Sequence, residues 1–199
     1  MIHRFAGVAT TCIGLLLGGF VLHFPGSFGE WFPDSSALVF GAILGFLTGM
    51  AVGMIQWAAL LLPRGPGGRL VLAMGVGIGV THALNDGVSA SYGLTTVSIA
   101  SAVGMAGAFV AILGERRPVA VAACFIGWAG GLILANAVTI GLGMPWSETP
   151  VGWSMEHAVA GLVVGLVWGG ITAAVGLPTM LQRVAVPAAP APATTRDAG

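Results

Sequence analysis

Apolar residues dominate this chain in long runs, separated by short breaks rich in proline, glycine, acids or arginine. The longest unbroken run, 37–62, carries Gly41, Gly45, Gly49 and Gly53. Four residues make roughly one helical turn, so these glycines line one side of a helix and predict a furrow into which a second helix can sink. The same period returns at Gly161, Gly165 and Gly169, with Ala173 continuing it, and more weakly at Ala100, Gly104 and Ala108. The runs predict helices at 5–24, 37–62, 70–87, 94–114, 119–142 and 157–181. Most reach the roughly 20 residues needed to cross a bilayer. Helix three is apolar only to Thr81, and the Ala/Pro-rich stretch from Arg183 reads as a disordered tail. The expected fold class is an all-α integral membrane protein: a six-helix transmembrane bundle over 1–182, followed by that tail.

Charge sharpens the picture. Of 199 residues, 56% are hydrophobic and only 7% charged, against about 25% charged in a soluble domain. The first run is too long for a signal-peptide core, and no A-x-A site precedes Pro25, so it reads as a retained helix. All seven cations are arginines, and the six-helix layout puts Arg4, Arg64, Arg69, Arg116, Arg117, Arg183 and Arg196 on one side. Glu30, Asp34, Asp86, Glu148 and Glu156 fall on the other. By the positive-inside rule both termini are cytoplasmic, in a multi-pass protein of the inner cell membrane. Zero net charge and the absence of lysine exclude a basic nucleic-acid surface and a lysine Schiff base. Sliding the chain by 120 positions pairs Phe5 with Phe125, Gly7 with Gly127, Pro25 with Pro145 and three furrow glycines with one another. Helices one and two therefore read as a parallel copy of helices five and six.

Candidate chemistry concentrates opposite the arginines. His82, Asn85 and Asp86, at offsets of three and four, share a helical face. Ionisable residues inside a membrane are costly and mark functional sites, unless helix three ends near Leu84 and these residues merely cap it. His23, at the end of helix one, and His157, at the start of helix six, lie at similar depth. With His82, Asp86 and Glu156 they make a set of imidazoles and carboxylates suited to zinc or iron, though no short His-x-x-x-His spacing accompanies them. No cofactor is identified by the sequence. Gln56 and Asn136 are single amides of the kind that bridge helices, and Cys12 and Cys124 read as small core residues. There is no G-x-S-x-G elbow and no H-E-x-x-H, so an enzyme has no motif behind it.

In size, in six helices with both ends inside, and in lacking an ATPase motif, the chain resembles the substrate-binding S components of vitamin importers. The resemblance is one of gross architecture. It implies an outward pocket built from Trp31, His82, Asp86, Trp146, Trp153 and His157, and importer partners docking on glycine furrows. The expected function is thus non-catalytic: binding or transport of a small solute at an outward polar site. One alternative is an accessory subunit whose furrows hold other transmembrane subunits or a second copy of the chain. The other is a metal-dependent intramembrane enzyme. In each case the lipid bilayer is a partner.

Overall fold

The computed structural model describes residues 8–17, 34–60, 62, 64–142 and 150–176, with the side chains of all but 34–37, 64, 86–91 and 150–154. These residues form six helices: α1 (Val8–Leu17), α2 (Asp34–Ala59), α3 (Arg64–Tyr92), α4 (Leu94–Leu113), α5 (Pro118–Gly141) and α6 (Pro150–Ala174). Among the described residues there is no strand. Five helices, α2 to α6, are long and apolar enough to cross a membrane. Their outer faces are what lipid requires. Ile126, Ile133 and Ile140, seven apart on α5, are exposed, as are Val103 and Val110 on α4, an arrangement that water would not tolerate over a whole surface. The protein is a polytopic membrane protein built as a helical bundle.

Consecutive helices pack side by side from α2 to α6. Helix α1 closes the ring, lying between α2, where Gly14 meets Val52, and α6. Both furrows are filled by this chain. A methyl group on Gly45 would come within 2.7 Å of the His82 Cβ, one on Gly53 within 2.6 Å of the Val71 Cα, and one on Gly49 would strike the Met74 carbonyl, so α3 lies in the α2 furrow. On α6, Gly161, Gly165 and Gly169 face Leu15, Cys12 and Val8 of α1. Gly41 is buried as well. Close backbone approach of this kind is the main source of helix association in lipid, and here it is spent within one chain. Gln56 of α2 adds a polar tie, its amide donating to the Thr11 hydroxyl of α1. Cys12 and Cys124 are buried and unbonded to each other.

Four boundaries differ by five residues or more from those expected, one of them the end of α6, which stops at Ala174 before Gly176 at φ 77° and not at 181. The turn expected at 63–69 is largely helix, because α3 already begins at Arg64. Pro66 falls in its first turn, where the missing N–H would have had no helical partner anyway. Its Gly67 lies flush against the Trp57 indole, whose N–H donates to the Leu62 carbonyl at 2.6 Å and ties off the turn. The polar turn expected at 87–93 is also helical up to Tyr92, since no proline interrupts the ladder there. Only Gly93, at φ 78°, breaks it. Helix α6 starts at Pro150, a residue suited to the first helical position, and not at His157. At the far end of α4, Gly114 at φ 71° closes the helix, its N–H bonding the Phe109 carbonyl.

Candidate functional site

These boundary changes move the chemistry. His82 and Asn85 lie within a continuous helix, not at its end, so the alternative in which α3 stops near Leu84 is overturned. Glu156 and His157 likewise lie about two turns inside α6. The two helices bring His82, Asn85, Glu156 and His157 to one cavity of about 210 Å³, to which all six helices contribute. Its position follows from the helix directions. Apart from Leu15, Thr48 and Trp128, the residues come from the C-terminal half of α3, the N-terminal half of α4, the C-terminal half of α5 and the N-terminal part of α6. All of these are the ends remote from Arg69, Arg116 and Arg117. At 1.5 Å per residue, Arg69 is about 20 Å from His82 along α3.

The furrow on α2 helps to build the site. Because Gly45 has no side chain, α3 comes close enough to hold His82 against it, next to Thr81 and one turn from Ile78 at the cavity wall. Gly161 does the same for Leu15 on the opposite side. Below the cavity the ring is closed by aromatic packing. Trp128 and Trp168 meet edge to face at 5.7 Å, and Phe109 meets Trp168 at the same distance. Trp128, the cavity's floor, is 2% exposed and donates its indole N–H to the Thr81 hydroxyl at 3.0 Å. Trp168 directs its own N–H to the Cys124 sulfur at 3.5 Å.

Glu156 is the anomaly. It is 3% exposed, and both carboxylate oxygens are buried without a hydrogen-bond partner among the described residues. An ionised carboxylate held that way costs several kcal/mol unless a positive or donating group meets it. Ser101, on the same wall, also has a buried hydroxyl with no partner. By contrast, the Glu115 carboxylate in the α4–α5 turn is fully engaged by Arg117, whose backbone N–H and Nε donate at 2.9 and 2.8 Å, and whose Nη2 also bonds it. That side-chain contact holds the Glu115 carboxyl below the usual carboxylate range, against the opposing effect of partial burial.

Of the residues singled out from sequence, His82, Asn85, Glu156 and His157 share the cavity. His23, Trp31 and Trp146 lie outside the described residues, as do the side chains of Asp86 and Trp153. Among the described residues no three His, Cys, Asp or Glu side chains are grouped to hold a metal ion. Sequence reasoning missed Thr48, Thr81, Ser98, Ser101 and Thr139, read Trp128 chiefly as bundle packing, and treated Asn136 as a helix bridge although it lines the cavity. The available signal was spacing: Ser98 with Ser101, and Asn136 with Thr139, stand three apart on otherwise apolar helices and so share one face. Comparison of the chain with known protein families, with curated proteins and with solved structures finds no match.

Proposed function

We propose that this protein binds a small solute in the cavity between its six helices, from the outer side of the inner cell membrane, with both termini in the cytoplasm. The observation that carries this reading is Glu156, a residue of the cavity wall whose buried carboxylate has no hydrogen-bond partner among the described residues, beside a space that the ring leaves unfilled. Packing in membrane bundles does not favour such a group for its own sake, and intramembrane ionisable residues earn their place by function. The orientation is supported by Arg69, Arg116 and Arg117 at the opposite helix ends. At about 30 Å³ per water-sized unit, the space suits a solute of roughly seven such units. His82, Asn85, Asn136 and His157 supply the polar contacts, and Leu15, Ile78 and Leu132 the apolar wall. Transport would additionally require the Trp128–Trp168–Phe109 floor to move.

Native mass spectrometry of the protein released from its own membranes tests this. The wild type carries a bound small mass, and the double variant His82→Ala, Glu156→Gln does not. A bare wild-type chain, or a mass retained unchanged by the double variant, contradicts the proposal.

A further inference from the structure

The hydroxyls of this cavity show what kind of solute it takes. Ser98 donates to the Leu94 carbonyl at 2.8 Å, Thr48 to Leu44 at 2.9 Å, Thr139 to Asn136 at 3.1 Å and Thr81 to Gly77 at 3.0 Å. Each of these four hydroxyls has thereby committed its single proton to its own helix, and what it can turn towards the cavity is an oxygen lone pair, whereas the buried Ser101 hydroxyl has no partner among the described residues and keeps its proton. The Trp128 N–H, which could have donated into the cavity, is taken by Thr81. Glu156, when ionised, is an acceptor only, and neither of its oxygens has a partner among the described residues. Among the described residues no arginine lines the space, and the chain has no lysine. The hydroxyl oxygens are thus acceptors, the Asn85 and Asn136 amides and the His82 and His157 imidazoles can both donate and accept, and among the described residues Glu156 is the one carboxylate, with apolar surface beyond at Leu15, Ile78, Val97, Leu132 and Val164.

We infer that the solute is a small protonated amine, its ammonium N–H groups donating to Glu156 and to neighbouring hydroxyl oxygens and its short apolar body lying against the leucine and valine wall. This rests on the solute-binding reading above and adds the charge and donor character of what is bound. A carboxylate solute would meet an unpaired carboxylate, and a neutral alcohol would leave the Glu156 charge without a counter-ion. A quaternary ammonium would bring charge without donors.

The test is calorimetric titration of the full chain in lipid nanodiscs, with empty nanodiscs subtracted, using pentylamine, pentanol, pentanoate and choline as probes. Pentylamine should bind about tenfold or more tighter than pentanol or choline, as charge-assisted hydrogen bonds dictate, and pentanoate should be weakest. In Glu156→Gln the preference for pentylamine over pentanol should disappear, and in Glu156→Asp, which keeps the charge, it should persist in weaker form. Pentanol or pentanoate binding as tightly as pentylamine, or a cation preference that survives Glu156→Gln, overturns the amine assignment and leaves the solute-binding cavity standing. Binding of none of the four probes overturns both.

Discussion

At the arginine-bearing end of the bundle Phe109, Trp128 and Trp168 fill the centre of the helix ring, whereas at the other end the same helices leave about 210 Å³ around Glu156, His82 and His157. Close backbone approaches hold both halves, Gly49 on Met74 and Gly53 on Val71 in the packed half and Gly161 on Leu15 beside the cavity. Six helices in a ring inevitably enclose a central gap. Large aromatic side chains close it where stability is needed, and their absence one or two turns further out, where α5 carries Ala135 and Asn136 and α4 carries Ser98 and Ser101, keeps it open. The open end is therefore written into the sequence by small and polar residues, not left over from imperfect packing.

That contrast is broken most severely by removing the floor. Trp128→Ala deletes a buried indole and its hydrogen bond to Thr81, and should destabilise the bundle by about 3–5 kcal/mol, read as a fall in the thermal unfolding midpoint in detergent. Gly49→Leu should cost about 3 kcal/mol or more, because the new side chain strikes the Met74 backbone, which cannot turn aside. Loss of monodisperse protein on size exclusion checks it. Gly107, on the outward face of α4 with nothing within 4 Å, is the control, and Gly107→Leu should leave folding unchanged. A normal Gly49→Leu protein would mean that the furrow does not hold α3.

The open half should respond with the opposite sign. Glu156→Gln removes a buried carboxyl group with no hydrogen-bond partner among the described residues and should stabilise the protein, with no solute added, by about 1–2 kcal/mol if the carboxyl is held ionised. A destabilised variant would show that Glu156 is a structural anchor. The smallest effect is expected at Glu115→Gln, under about 1 kcal/mol for a pair whose arginine is substantially exposed. Its sign with pH is fixed. Since Arg117 holds the Glu115 carboxyl below its ordinary range, the stabilisation is present above that range and is lost as pH falls through the lowered value. Unfolding curves of wild type and variant should converge in acid.

Helix existence was legible in this sequence because five apolar runs are long and end at Gly or Pro, and α4 and α5 differ by only a residue at each end from their expected spans. Ends without a breaker were not legible. Asp86 to Ser91 look like a turn by polarity, yet nothing in them forbids a helix, and α3 runs on to Gly93. The furrow glycines announced close packing, but period alone could not say whether the partner helix was foreign. Gly45 against His82 and Gly165 against Cys12 supply that answer. His82, Glu156 and His157, singled out as rare ionisable residues, line the cavity. The rest, Ser98, Ser101 and Thr139, are common in membrane helices, and only the ring's geometry turns them to one space.

Asn136 lines the cavity and is partly accessible, and both native cysteines are buried, so a single new thiol can report on the opening. In oriented vesicles, Asn136→Cys should react with a membrane-impermeant thiol reagent added from the side opposite the arginines, and should be silent to reagent added from the arginine side. Reaction from the arginine side alone, or no reaction from either, would contradict a cavity that opens outward above an aromatic floor.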